Sequence, residues 1–190
     1  MRELAAEIER WRSRGRRIAV ATVVATRRSA PRPVGAKLAV SDAGELAGSV
    51  SGGCVEAEVA AHAAEVLAGG PPRLLSYGIA DDLAFEIGLP CGGEIDVFVA
   101  VPADEVLTAL LELPPDSGRA AHLSVVAGEG LGRELVVLPD GRRAGDDALA
   151  GFVDAPAGLV ALERATVFVD VHAPAPRLLV FGAVDTAEEL

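Results

Sequence analysis

From Ile18 to Thr26 the chain is an almost unbroken succession of β-branched and alanine residues. A run of that kind reads as a strand buried on both faces. It cannot lie at a surface, so the rest of the chain must supply apolar layers above and below it. The cover is close at hand. Leu4, Ile8 and Trp11 fall on one helical face, which predicts an amphipathic helix over residues 2–14 stopped near Gly15. Residues 54–68 predict a second helix, with Val55, Val59, Ala63 and Val66 along one side and Gly69-Gly70-Pro71-Pro72 as its stop.

Between these elements, Ser29 to Gly35 holds Pro31 and Pro33 and must be irregular, because proline removes a donor and restricts its neighbour. Ala36–Ser41 and Leu46–Val50 flank the turn signal Asp42-Ala43-Gly44 and predict a hairpin. Arg73–Tyr77 reads as a short strand and Ile95–Val101 as another, followed by a helix over Ala103–Leu113. Strand-like runs then alternate with turns at Leu123–Ala127, Glu134–Leu138 and Thr166–Val171, with Pro139-Asp140-Gly141 between the second and third. The expected fold class is α/β or α+β: a mixed sheet covered by helices, with a β-rich segment beyond it.

The end of the sequence reads differently. Arg177–Phe181 predicts a new buried strand, and Gly182-Ala183-Val184-Asp185-Thr186-Ala187 resembles a phosphate-binding turn. Val184 stands where a dinucleotide turn needs its second glycine. A dinucleotide fold needs two βαβ halves, so residues 174–190 are expected to begin a Rossmann-like domain that is truncated or split onto another chain. The expected organisation is therefore 1–113, a β-rich 114–173 belonging to the same N-terminal domain, and 174–190.

Composition narrows the function. No apolar run reaches the ~20 residues of a membrane helix, and the first turns carry Glu3, Glu7 and Glu9 in place of a signal-peptide core. These features predict a cytoplasmic protein. A net charge of −11 argues against nucleic acid or anionic membrane as partners. Residues 1–32 run against that balance, with nine arginines to three glutamates.

The two cysteines carry the chemistry. They sit in Gly48-Ser49-Val50-Ser51-Gly52-Gly53-Cys54-Val55-Glu56 and in Gly88-Leu89-Pro90-Cys91-Gly92-Gly93-Glu94. Their separation lacks the paired spacing of a zinc ribbon, and a cytosolic setting keeps them reduced. Each lies beside a Gly-Gly pair, where backbone can approach a ligand closely. Cys54 falls at the predicted start of a helix, a position that favours thiolate. Two soft thiols on donor-rich backbone point to a sulfur- or metal-containing ligand.

With these motifs, and with Pro31-Arg32 and Gly35-Ala36-Lys37, the sequence resembles the XdhC/CoxI family of xanthine dehydrogenase accessory factors over most of residues 1–101. Leu178-Leu179-Val180-Phe181-Gly182-Ala183 is similar to the start of that family's C-terminal Rossmann domain. The resemblance implies a maturation chaperone, not an enzyme. Such a chaperone binds the molybdenum cofactor, a molybdopterin with or without an added nucleotide, assists its sulfuration and passes it to an apo molybdenum hydroxylase.

It further implies Cys91 and Cys54 as the metal-facing contacts, with Ser51, Gly52, Gly53, Gly92 and Gly93 as backbone cradle and Arg32 and Lys37 as added positive charge. Asp81 and Asp82 match an acidic step before the second cysteine. Implied partners are the client hydroxylase, a cysteine desulfurase, a separate Rossmann-domain subunit and a second copy of the chain. Two rival readings are the N-terminal part of a nicotinamide-dependent oxidoreductase with a cysteine nucleophile, and a fragment without function of its own.

Overall fold

The computed structural model describes residues 1–78, 93–113 and 118–173, apart from the side chain of Arg2. The expected Rossmann start at 174–190, Cys91, Gly92, Asp81 and Asp82 lie outside these residues. A short 3-10 turn at Arg2–Leu4 leads into α1 (Ala5–Arg12), which presents Ile8 and Trp11 inward and ends before Gly15, at φ 71°. Five strands follow around β1 (Ile18–Arg27): β2 (Lys37–Ser41), β3 (Leu46–Gly48), β4 (Arg73–Tyr77) and β5 (Glu94–Ala100), in the order β3-β2-β1-β5-β4. α2 (Glu56–Leu67) crosses from one edge of this sheet to the other, between β3 and β4.

The expected second strand of the first hairpin stops early. Leu46–Val50 is reduced to β3, because Gly48 turns the chain at φ 85° and the amides of Val50 and Ser51 bond elsewhere.

After α3 (Asp104–Leu111) a second sheet forms from β6 (Ala120–Gly128), β7 (Glu134–Val137), β8 (Arg143–Gly145), β9 (Gly158–Ala161) and β10 (Ala165–His172), in the order β8-β7-β6-β10-β9. Every ladder between the described strands is antiparallel. The α+β alternative therefore describes the fold, and the expectation of a mixed sheet does not hold in detail. The reason is topological. Neighbouring strands pair as hairpins, while the one helical crossover joins strands at opposite edges, so it creates no parallel pair.

Alternation assigns the layers. Ala19, Ala21 and Val23 of β1, with Leu38, Val40, Ile95, Val97 and Val99, pack under Val59, Ala63 and Val66 of α2. Ile18, Val20 and Ala39 turn the other way, against Leu4 of the N-terminal turn, Ile8 and Trp11 of α1 and Leu107 of α3. On that same side Val24, Phe98 and Ala100 meet Val126 and Phe168, which joins the two sheets. β1 is therefore covered on both faces, as its composition requires. Each fully buried side chain of this size is worth roughly 1.5–3 kcal/mol. The outer face of the second sheet is closed by Leu149, from a 3-10 stretch over Asp147–Phe152.

One ion pair crosses between the sheets. Lys37, at the head of β2, has a side chain only 3% exposed and donates to Asp170 of β10 and, at 3.3 Å, to the carbonyl of Gly35. Burial pushes the Asp170 carboxyl up, but the nearness of His172 and the charge of Lys37 outweigh it and hold the group well below the usual carboxylate range. Removing one partner leaves an uncompensated buried charge. Lys37→Met is expected to cost about 3–5 kcal/mol in urea unfolding, and Lys37→Met combined with Asp170→Leu to recover most of that loss.

Candidate functional site

Antiparallel pairing gathers the motif loops at one end of the first sheet. The β1–β2 connection carries Pro31 and Arg32, the β3–α2 connection carries Ser51 to Cys54, and Gly93 immediately precedes β5. The loops touch. A Cβ built on Gly52 would lie 3.9 Å from Pro31 Cβ. One built on Gly93 would lie 2.1 Å from the Ser29 carbonyl oxygen, so only glycine lets that backbone approach. Gly52 and Gly93 thus both lie against the β1–β2 connection, at Pro31 and at Ser29.

The Cys54 loop is organised by Glu56. Its Oε1 accepts from Ser49 Oγ at 2.6 Å and from the backbone N–H groups of Val50, Ser51 and Gly52 at 3.1, 2.8 and 3.1 Å. Its Oε2 accepts from Ser51 Oγ at 2.5 Å and from the Gly53 N–H at 2.9 Å. Ser51 Oγ in turn accepts from the N–H groups of Cys54 and Val55, at 2.9 and 3.0 Å. Gly52 and Gly53 adopt φ of 81° and 113°, a pair of left-handed conformations that curls the amides around the carboxylate. Partial burial pushes Glu56 up, but the hydrogen bonds from Ser49 and Ser51 dominate and bring it down to about 2.

This arrangement changes what the loop can offer a ligand. The amides of Gly52 and Gly53, expected as part of a backbone cradle, already hold a carboxylate, and an anionic ligand reaches them only by displacing Glu56. The Cys54 side chain, by contrast, is exposed. The loop is thus built to present a thiol on a fixed backbone. In the sequence, Glu56 reads only as a first-turn carboxylate suited to the positive end of the helix dipole. The signal was available in the spacing: two serines and a glutamate around a helix start form an extended relative of the capping box.

The remaining expected residues separate. Arg32 stands half-buried in the β1–β2 loop, its guanidinium 3.8 Å from Glu3. Lys37 points to the face of the sheet opposite α2, into the contact between sheets, and is not brought to the side from which Cys54 leads into the helix. Among the described residues no group of three or more His, Cys, Asp or Glu side chains stands where it could hold a metal ion. No described helix is long and apolar enough to cross a membrane. Asp170 and His172, at alternate positions of β10 and hence on its inward face, were not singled out from the sequence.

Comparison with known proteins bears on the same loops. The XdhC and CoxI family matches residues 11–78, which include the proline loop and the whole Cys54 motif. Over those residues the chain is similar to the XdhC and CoxI family. It is 43% identical over 81 residues to the molybdenum cofactor insertion chaperone PaoD of Escherichia coli, a stretch that makes up 43% of this chain and 25% of that protein. It is 35% identical over 83 residues to the uncharacterized protein YqeB of the same organism, covering 44% of this chain and 15% of that one. The matched part is therefore a quarter or less of each relative's length. A crystal structure of a xanthine dehydrogenase from Bacillus halodurans shares the fold, with a TM-score of 0.65 and 20% identity over 90% of this chain and 52% of that one.

The Glu56 network gives a prediction with a definite sign. Folding lowers the Glu56 pKa, so its contribution is complete above the unfolded value of 4.5 and is lost as the pH falls toward about 2. Glu56→Gln is expected to cost about 1–2 kcal/mol at neutral pH, a figure reduced for solvent screening. In denaturation curves the gap between wild type and variant should narrow steadily below about pH 5.

Proposed function

We propose that the chain is a molybdenum-cofactor-binding maturation factor, which receives the pterin-bound metal and delivers it to an apo molybdenum hydroxylase of the xanthine or carbon monoxide dehydrogenase type. The observation that carries this reading is the exposed Cys54 thiol. It is held on a rigid Ser-Gly-Gly loop, against the proline loop, at the sheet end where the second cysteine motif enters β5. Likeness over 81 residues to a named insertion chaperone supports it.

The fit of the donors to the cofactor is uneven. A thiol is a good match for a soft, sulfur-rich molybdenum centre, and Cys54 and Cys91 are the residues that would hold it. Ser51, Gly52, Gly53, Gly92 and Gly93 shape the approach of backbone to the ligand, with Ser51 and the first glycine pair acting through the Glu56 network. Arg32 and Lys37 supply positive charge from behind the proline loop. The cofactor itself brings the redox-active metal that the client needs. The chain's own work is to bind, shield and release it, without turnover of a small molecule.

On this reading the sulfur of the mature centre comes from a cysteine desulfurase. A second copy of the chain completes the assembly, and the whole acts in the cytoplasm.

The test is co-production with a molybdenum cofactor source, followed by assay of bound pterin and molybdenum. Cys54→Ala should lower both several-fold while leaving the melting temperature unchanged, since the side chain is exposed. Cofactor retention equal to that of wild type in both Cys54→Ala and Cys91→Ala would overturn the proposal.

A further inference from the structure

Beside the proline loop, on the face of the first sheet opposite α2, an open cleft of about 380 Å³ lies between the two sheets. That is within the size range of small-molecule sites. Arg32, Gly35 and Lys37 line it from the first sheet, Asp170 and His172 from the second, and Glu3 from the N-terminal turn. Two nitrogens in its wall have no hydrogen-bond partner although both are shut off from solvent: Arg32 Nε and His172 Nε2. The latter stands 3.4 Å from Asp170 Oδ2.

Buried donors are nearly always satisfied, and an orphan calls for a reason. A guanidinium Nε–H can only donate, so what is missing beside Arg32 is an acceptor. The acids already present do not serve. Asp170 is committed to Lys37. Glu3 is 83% exposed and 3.8 Å from the Arg32 guanidinium. With Asp170 offset by Lys37, the lining side chains that keep an unpartnered nitrogen are a fixed cation and an imidazole. That combination matches a compact oxyanion, to which guanidinium donates in a charge-assisted bond.

The geometry points to an oxyanion site between the sheets, formed by Arg32 and His172 over the Lys37–Asp170 pair, that takes a phosphate monoester end group. The site itself stands apart from the proposed function. Its assignment to the terminal phosphate of the pterin cofactor rests on that reading, and it answers a question left by the Cys54 loop, whose amides are filled by Glu56. Because its groups come from β2, β10 and the loop between β1 and β2, an occupied site ties the two sheets together.

The experiment is thermal unfolding of the full chain in rising inorganic phosphate, with chloride at matched ionic strength as reference. Wild type should gain several degrees. Arg32→Gln and His172→Gln should each lose at least half of that gain, Arg32→Lys should restore part of it, and Arg164→Gln, at an exposed surface position, should keep all of it. Equal gains in all variants, or no gain in wild type, would overturn the site. Cofactor retention separates the sources. If Arg32→Gln loses the phosphate response and several-fold of the bound pterin, the site holds the cofactor's phosphate. If it loses the response but retains the pterin, the oxyanion site stands and takes another phosphomonoester. Should Cys54→Ala and Cys91→Ala both retain cofactor while the phosphate response follows Arg32, the proposed function falls and the site does not.

Discussion

The carboxylate of Glu56 is the pivot of this structure. Hydrogen bonds from two hydroxyls and four amides converge on it. Without them the loop between β3 and α2 would expose a run of unpaired backbone donors at the start of a helix that has no side-chain cap at Val55. The network supplies that cap from inside the helix, one residue further on. It thereby fixes two glycines in conformations that other residues resist and leaves the cysteine outside. An anion is needed to organise the loop, and the chain provides its own.

The glycines divide the labour. Gly93 has no side chain because the Ser29 carbonyl occupies the place of one, and Gly48 likewise lies against the Lys37 carbonyl, 2.3 Å from where its Cβ would sit. These contacts pull three connections into one patch. The sheet below gives the patch a firm base, because β1 is buried from both sides and pairs with β2 and β5 along most of its length. On the far side the second sheet closes over Lys37, so one strand, β2, serves the α2 core with Leu38 and Val40 and reaches the second sheet through Lys37.

Much of the architecture was legible. The run at 18–26 announced a strand needing two covers, and Arg73–Tyr77 was read to the residue, with Gly69-Gly70-Pro71-Pro72 marking the break before it. The expected helix over 54–68 was too long at its start by the residues that Ser51 and Glu56 draw into the loop. β8 and β9 were missed: each is three or four residues long, contains glycine, and is held by its ladder rather than by a period of its own.

The site was half legible. Glycine beside cysteine flags a close approach of backbone, but not what approaches. For Gly53 it is Glu56, three residues on, and for Gly93 it is Ser29, sixty-four positions back. The pairing of Lys37 with Asp170 spans 133 positions and joins different sheets, so no local pattern could announce it.

The proposed mechanism needs the two thiols to share one approach. A short bis-maleimide applied to the reduced full chain at low protein concentration tests this directly, with peptide mass analysis of the product. The account predicts one intramolecular species that links the Cys54 peptide to the Cys91 peptide. Separate adducts at both cysteines, each reactive but never joined, would contradict it.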